Sequence, residues 1–396
     1  MTKIDFKAEA QALRDDVVAW RRDFHMHPEL AFEEVRTAGI VAETLNDLGM
    51  EVQTGVGKTG VIGILEGSED GPTVLYRADM DALPIHEANE TDYISQTPGK
   101  MHACGHDGHT AIALGVAKLF AKHRENLSGR IKFVFQPAEE VVGGAKAMVA
   151  DGALTNPRPD FALGLHLAND MPVGNLGVAD GPVMACGAIL NIVVEGKGGH
   201  GAMPHQTHDP IVCAAQIVTA LQSIVSRNTG PLETLVVSVT RFHAGSANNI
   251  IPASVEMGGT IRAYKDEVRA HAAQRVTEIA EGIAASMGCK ATVEIENTIE
   301  VVENNPEVSE TVRNAFRKQG YGEDNFQYRR TTGSEDVGEF MKDIPGMYFF
   351  LGSADPSREL DFPHHHPRFD FDEDALSTGV ELMSAALAAY VVSDEA

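Results

Sequence analysis

The stretch MHACGHDGHT, residues 101–110, places one thiol and three imidazoles within eight residues. Thiolate and imidazole are the side chains that bind borderline-soft divalent metals at neutral pH. Cys104 and His106 can reach one centre only if the backbone between them is extended, so we expect a loop here. A helix is expected from about Gly108, because apolar residues recur at helical spacing through AIALGVAKLFAKH. A buried cysteine or a capping histidine would explain any one of these residues alone, but their density favours a metal site.

Strands and helices alternate on both sides of this stretch. The residues before it predict two helices and three strands, at 5–26, 35–48, 51–53, 60–65 and 73–77. The residues after it predict a strand, a helix and a strand, at 130–136, 142–150 and 161–165. This alternation predicts the α/β class, with a mostly parallel sheet that carries helices on both faces.

The pattern changes near residue 187. Residues 187–296 predict the order strand, helix, strand, strand, helix, strand, which is typical of a compact α+β module of the ferredoxin-like kind. We expect this module to be inserted in the α/β domain and to divide it into residues 1–186 and 297–396.

Composition excludes some classes of partner. The chain has 396 residues, more than one core usually organises, and a formal net charge of −25, which argues against nucleic acid and anionic membrane as partners. The N-terminus lacks the apolar region of a secretory signal, and we see no apolar run near the roughly 18 residues that a membrane span needs. Four widely spaced cysteines fit a reducing compartment. We therefore expect a cytoplasmic protein.

Polar residues follow the predicted strands at their carboxyl ends. Asp79 and Asp81 follow one strand, Glu139 and Glu140 follow the next, and His166 ends a third. Three histidines follow a later strand, at 364–366. In an open α/β sheet these ends meet at one edge, where ligands bind. Adjacent carboxylates oppose joint ionisation, so a dication explains the glutamate pair: one binds metal and the other serves as a base. A solvated acidic turn is the alternative.

The motifs RADMDALP, MHACGHDGHTA, FQPAEE, GLH and a C-terminal H-x-P resemble one enzyme family. It is the dinuclear-zinc amidohydrolase and metallopeptidase family of hippurate hydrolases, aminoacylases, N-acetyl-diaminopimelate deacetylases and indoleacetyl-amino-acid hydrolases. The segments RRDFHMHPELAFEE and GSEDVGEF also fit, so the resemblance covers nearly the whole chain.

The resemblance implies two divalent ions per subunit, zinc in the first place, with manganese or cobalt able to substitute. The implied ligands are Cys104, His106, Glu140, His166 and His365. The H-x-P spacing selects His365, although His364 and His366 leave the register open. Glu139 matches the general base that takes a proton from water and passes it to the leaving amine.

Further residues match supporting positions of the family. Asp79 and Asp81 are assigned the role of orienting the ligands, with a helix N-cap or turn carboxylate as the alternative. His200 matches a donor to the tetrahedral oxyanion, reaching across a dimer interface, with a turn histidine as the alternative. Asn249 and Arg262 match positions that bind the substrate carbonyl and carboxylate, although an arginine in a strand is often a solvated side chain.

The resemblance implies hydrolysis of the amide bond of N-acyl amino acids. A metallo-dipeptidase or carboxypeptidase using the same residues is one alternative. A catalytically silent metal-binding regulatory protein is another, but it would need no base such as Glu139. The resemblance also implies a homodimer formed through the inserted module, which would act as a lid as well.

Overall fold

The computed structural model describes residues 4–392. They form two compact units: unit 1 contains residues 4–183, 303–330 and 336–392, and unit 2 contains residues 184–302 and 331–335. In chain order the helices are α1 (Phe6–Ala12), α2 (Arg14–Met26), α3 (Val35–Asp47), α4 (His106–Lys122), α5 (Gly144–Ala150), α6 (Pro210–Ser223), α7 (Asp266–Ser286), α8 (Pro306–Lys318), α9 (Gly338–Met341) and α10 (Asp374–Val391). The strands are β1 (Glu51–Val56), β2 (Gly60–Glu66), β3 (Glu69–Asp79), β4 (Ser128–Gln136), β5 (Phe161–Pro172), β6 (Leu176–Val178), β7 (Gly181–Met184), β8 (Cys186–Glu195), β9 (Gly199–His200), β10 (Leu235–Ala244), β11 (Ile250–Ile251), β12 (Ser254–Ala263), β13 (Lys290–Ile299), β14 (Val302–Asn304), β15 (Phe326–Tyr328) and β16 (Gly346–Ala354).

An eight-stranded sheet forms the centre of unit 1. Its strand order is β1-β2-β4-β3-β5-β16-β6-β15. In the middle of the sheet β3 pairs in parallel with β4 and β5, and β5 pairs in parallel with β16. Antiparallel pairs join β1 to β2, β2 to β4 and β16 to β6. The predicted α/β class with a mostly parallel sheet is confirmed.

Helices cover both faces of this sheet. On one face, Tyr76 and Phe133 from the strands share a buried cluster with Leu114 of α4 and Leu382 of α10. On the other face, Met148 of α5 lies against Gly60 of β2. Because side chains alternate between the two faces, strands covered on both sides read as continuous apolar runs. β16, for example, is buried at every position.

The parallel strands place their carboxyl ends at one edge of the sheet. Asp79 at the end of β3 pairs in register with Gln136 at the end of β4. We expected the strand that begins at Phe161 to end at His166, and this expectation is wrong. β5 continues to Pro172, because β16 pairs with it as far as Ala354. His166 therefore projects from within a strand.

Two helix boundaries also differ from the prediction. The predicted helix 5–26 is interrupted at Leu13, whose backbone N–H is shared between two carbonyls, so that α1 closes with a tightened turn before α2 begins. α4 begins at His106 rather than at about Gly108. Its N-cap is Gly105 in the left-handed conformation, with φ 89°. His106 is therefore helical, and the predicted loop stops before it.

Unit 2 has a four-stranded antiparallel sheet in the order β10-β12-β8-β13. The chain runs through its main elements as strand, helix, strand, strand, helix, strand. α6 and α7 pack on one face of the sheet around a buried core that includes Ile192, Ile217 and Val276. This is the connectivity of the predicted ferredoxin-like module.

One helical stretch, Pro210–Asn228, is long and apolar enough by length and composition to cross a membrane, with 19 residues and a mean hydropathy of 1.2. We expected no apolar run near this length, and the stretch Pro210–Asn228 corrects that expectation. Cys213, Ile217 and Leu221 on this helix lie in the core of unit 2. Core helices of folded domains pass the same test, so this stretch is weak support for a membrane span.

Candidate metal centre

Four segments of unit 1 supply the five candidate ligands. Cys104 lies in the loop before α4, and His106 is the first residue of that helix. Glu140 follows β4, His166 lies within β5, and His365 lies between β16 and α10. Residues more than 250 positions apart in sequence are thus available at the same edge of the sheet.

Cys104, His106 and His166 form a first group of donor atoms. The Cys104 Sγ and the His166 Nε2 are 3.6 Å apart. One donor atom from each of the three residues lies within 4.8 Å of the other two. Since zinc lies about 2.0 to 2.3 Å from nitrogen and sulfur ligands, one ion can contact three atoms at this spacing.

A second group contains Cys104, Glu140 and His365, again with donor atoms within 4.8 Å of one another. The Glu140 Oε1 lies 3.3 Å from the His365 Nε2. A third group joins His106 to Glu139 and Glu140. The groups share Cys104, His106 and Glu140, so these residues could take part in holding two neighbouring ions.

The three consecutive histidines occupy different surroundings. His365 has a left-handed backbone, with φ 65°, and it contributes to the second donor group. His364 is half-buried, and its ring lies 5.1 Å from that of His166. The ring of His366 stacks on Phe362 at 4.8 Å. Of these three histidines, His365 is the one whose donor atom lies beside those of Cys104 and Glu140.

Two buried atoms in the cluster lack a hydrogen-bond partner among residues 4–392. They are the Nε2 of His106 and the Oε1 of Glu140, the latter 3.3 Å from the His365 Nε2 but without hydrogen-bond geometry to it. Leaving a buried polar atom unpaired costs about 1–3 kcal/mol, so such atoms normally have a partner. The cluster offers sulfur, nitrogen and carboxylate oxygen, which is the ligand chemistry of zinc and related divalent ions. These residues therefore fit a metal centre.

The protonation of the cluster has identifiable causes. Burial and the Glu140 carboxylate raise the pKa of the Cys104 thiol well above its ordinary value. Burial lowers the pKa of His166 well below its ordinary value. Burial alone would lower the pKa of His106 too, but the nearby carboxylate of Asp79 raises it well above the ordinary value. Metal binding requires a thiolate and neutral imidazoles, so a dication would release protons from Cys104 and His106.

Asp79 and Asp81 are buried beside the ligands. The Oδ1 of Asp81 lies 3.3 Å from the His106 Nδ1, and its Oδ2 accepts the backbone N–H of Glu140 at 3.0 Å. The Oδ2 of Asp79 accepts from Arg77 at 2.7 Å and lies 3.8 Å from the His106 Nε2. These contacts favour an orienting role over that of an exposed turn carboxylate.

His109 was part of the sequence cluster, but both of its ring nitrogens are engaged. Its Nδ1 lies 2.6 Å from the Asp79 Oδ1, and its Nε2 accepts the backbone N–H of Leu167 at 2.9 Å. His109 therefore connects Asp79 to the strand that carries His166. The sequence motif did not predict this role, although His109 lies about one helical turn after His106. His102 is also buried, and burial lowers its pKa to about 4.

His200 and Asn249 lie together in unit 2. His200 ends β9 opposite Ile250 of β11, and the N–H of Gly201 donates to the Asn249 carbonyl at 2.8 Å. Both His200 and Asn249 are exposed. The His200 Nδ1 accepts the N–H of Ala202 at 3.0 Å, so the neutral ring carries its proton on Nε2.

Arg262 occupies a different strand of unit 2, β12. It is half-buried, and burial lowers its pKa. Its guanidinium occupies the space that a side chain on Gly187 would fill. The candidate metal ligands thus lie in unit 1, and the candidate substrate-binding residues lie in unit 2.

A mostly parallel α/β sheet with sulfur, nitrogen and oxygen donors gathered at one edge is an arrangement found in metal-dependent hydrolases. Residues 75–389 match the family described as peptidase family M20/M25/M40. The chain belongs to this family.

Two relatives indicate the activities found among similar proteins. An N-acyl-L-amino acid amidohydrolase of Geobacillus stearothermophilus is 47% identical over 289 residues, 73% of this chain and 78% of the relative. Thermostable carboxypeptidase 2 of Saccharolobus solfataricus is 39% identical over 377 residues, 94% of this chain and 95% of the relative. The protein is an enzyme of the peptidase and amidohydrolase type.

A solved structure with the same fold is that of the Bacillus subtilis YXEP protein, described as a dinuclear metal binding peptidase from the M20 family. It is 35% identical to this chain, with a TM-score of 0.83, and the match covers 95% of this chain and 98% of that one. The resemblance inferred from the motifs is confirmed.

Proposed function

We propose that the protein hydrolyses the amide bond of N-acyl amino acids with two divalent ions and a water molecule. The observation that carries this proposal is the position of Glu139, whose carboxylate lies within 4.8 Å of donor atoms of His106 and Glu140. A site that only stores or senses metal needs ligands but no additional acid. Similarity to the amidohydrolase of Geobacillus stearothermophilus supports the substrate class.

Five residues of unit 1 would hold the two ions: Cys104, His106, Glu140, His166 and His365. Zinc is the metal we propose, and manganese or cobalt would substitute, because the mixed donor set accepts each of them. When bound, such ions lower the pKa of water and polarise an amide carbonyl.

Glu139 would act as the general base. It would take a proton from the attacking water and transfer it to the nitrogen of the leaving amino acid. Glu139 is largely buried, which keeps the proton in the site between these two steps. Cys104 is committed as a ligand in this scheme, so no covalent intermediate is formed.

Three residues of unit 2 would act on the substrate. The Nε2–H of His200 would donate to the oxyanion that develops on the carbonyl, in a homodimer from the opposite subunit. Asn249 would bind the substrate carbonyl, and Arg262 its carboxylate, for which a guanidinium offers paired donors. We propose that unit 2 forms the dimer interface and closes over the substrate. A cytoplasmic location remains part of the proposal.

Carboxypeptidase or dipeptidase activity is the second candidate. Similarity to thermostable carboxypeptidase 2 over nearly the whole chain favours it. The two activities share the water, the base and the metals, and differ in whether an acyl group or an aminoacyl group is removed. Substrates matched in the released amino acid distinguish them: N-acetyl-methionine and hippurate against alanyl-methionine and alanyl-glycine.

The test is amine release from this panel by chelated and metal-reconstituted protein. Wild type should hydrolyse the N-acyl substrates only after metal is restored. The adjacent glutamates provide matched variants: Glu139→Gln should keep the metal content and lose about 10²- to 10⁴-fold in kcat, whereas Glu140→Gln should lose bound metal. Turnover that survives chelation, or full activity in Glu139→Gln, would contradict the proposal.

A further inference from the structure

We infer that Arg21 is a positioning residue that fixes the segment bearing Cys104 and His106 relative to the segment bearing His365. The inference rests on the metal centre proposed above and extends it to a residue outside the cluster. Arg21 lies on α2, a helix that contributes none of the proposed ligands.

The Arg21 side chain is fully buried and bridges carboxylates from two segments. Its Nε donates to the Asp107 Oδ2 at 3.0 Å, and its NH2 donates to the Asp370 Oδ1 at 2.7 Å. The guanidinium lies over the ring of Phe371 at 4.3 Å and beside that of Tyr93 at 4.9 Å. The planar group is therefore held in one orientation.

One end of this bridge adjoins the proposed ligand His106. Asp107 is the next residue in the first turn of α4, and its Oδ1 accepts the backbone N–H of Gly108 at 2.9 Å. Its Oδ2 also contacts the Nδ1 of His25, at 2.7 Å. With these contacts, Asp107 cannot shift without moving the helix end that carries His106.

The other end holds the segment that carries His365. The Asp370 Oδ2 accepts from the hydroxyl of Tyr93 at 2.7 Å, and the Asp370 carbonyl accepts from the Asn169 side chain at 2.8 Å. The same Asn169 amide donates to the Phe362 carbonyl at 2.8 Å. Phe362 and Asp370, on either side of His365, are thus both hydrogen-bonded to the buried Asn169 side chain. Arg21 connects Asp370 to Asp107 of α4.

A lysine cannot reproduce this bridge. The guanidinium offers donors in a fixed planar fork that can serve two carboxylates at once, whereas an ammonium is a compact charge on a flexible chain. Arg21→Lys therefore keeps the buried charge and loses the fixed geometry. This separates positioning from charge neutralisation, since a role limited to charge would be rescued by lysine.

The neighbouring Arg22 provides the matched control. It lies on the same helix and pairs with Glu373 through two contacts of 2.8 Å, but its side chain is 37% exposed. We would strip wild type, Arg21→Lys and Arg22→Lys of metal, titrate each with Co²⁺, and record the visible absorption spectrum, which reports the geometry around the ion. Circular dichroism of the metal-free proteins checks folding.

We expect Arg21→Lys to bind at least one Co²⁺ about ten- to hundredfold more weakly than wild type, the range found when groups that orient ligands are changed, and to show an altered spectrum. Arg22→Lys should match wild type. If Arg21→Lys fails to fold, Asp370→Asn takes its place, with the same expectation. Unchanged affinities and an unchanged spectrum in a folded Arg21→Lys or Asp370→Asn would overturn the inference about Arg21 and leave the proposed function unaffected. Wild type that binds no Co²⁺ would overturn the proposed function and this inference with it.

Discussion

Asp81 is the residue on which the orientation of two proposed ligands depends. Its carboxylate contacts the ring of His106 and the backbone N–H of Glu140. In Asp81→Asn one of the two oxygens becomes an NH2 group, so the side chain can accept only one of these two hydrogen bonds, and we expect metal affinity to fall about ten- to hundredfold. Asp160→Asn is the control, because Asp160 accepts the backbone N–H of Thr73 on β3 at 2.8 Å, away from the cluster. Competition with a chromogenic chelator measures the affinities. Equal losses in the two variants would contradict the assignment.

We expect His25 to make the stability of the protein depend on pH. Burial alone would lower its pKa, but hydrogen bonds to Asp107 and Glu87 raise it from 6.5 to about 9. Because the folded pKa exceeds the unfolded one, the stabilisation is complete below pH 6.5 and is lost as the pH rises through 9. We compare wild type with His25→Asn by the difference between their free energies of unfolding. This difference should be about 3 kcal/mol more favourable to wild type at pH 6 than at pH 10. Urea unfolding at several pH values measures this difference, and parallel pH profiles would contradict it.

At the residue scale, the sequence predicted the candidate metal-binding side chains better than the buried hydrogen bonds that hold them in place. A dense C-x-H motif and an adjacent pair of glutamates signal metal binding before any fold is known. The bridge from Arg21 to Asp107 and Asp370 was not predicted, because it joins residues separated by up to 349 positions. An arginine on an amphipathic helix gives no sign of complete burial until the tertiary structure brings carboxylates to it.

At the element scale, the start of α4 sets the direction of the His106 side chain. Gly105 has φ 89°, where a side chain is strained, and a Cβ there would lie 3.3 Å from Leu167. We expect Gly105→Ala to lower the free energy of unfolding by about 1–3 kcal/mol. Gly39→Ala in α3 is the control: a Cβ there meets nothing within 4 Å, so we expect it to stabilise by about 0.5–1 kcal/mol. Thermal unfolding compares the two, and a neutral Gly105→Ala would contradict the argument.

Element boundaries depended on contacts that sequence patterns do not contain. The type and order of the main strands and helices followed from periodicity. The extension of β5 past His166 depends on pairing with β16, which begins 185 residues after β5 does. The start of α4 depends on one glycine in a left-handed conformation, which the sequence permits but does not require.

At the scale of the whole molecule, we predict a homodimer. Unit 2 exposes apolar side chains on and after α6, among them Ile211, Val212 and Val225. Covering such a surface with a second copy of unit 2 removes it from water. Sedimentation velocity at micromolar concentration should give twice the mass of one chain. A fully active monomer would remove the proposed action of His200 across the interface.

We propose that Cys104, His106, Glu140, His166 and His365 together hold two divalent ions. The experiment is calorimetric titration of the metal-free protein with Zn²⁺, with His166→Asn as the variant and His123→Asn as the control, because His123 pairs with Glu9 outside the cluster. We predict two bound ions per chain for wild type and for His123→Asn, and the loss of at least one in His166→Asn. No bound ion in wild type, or two tightly bound ions in His166→Asn, would contradict it.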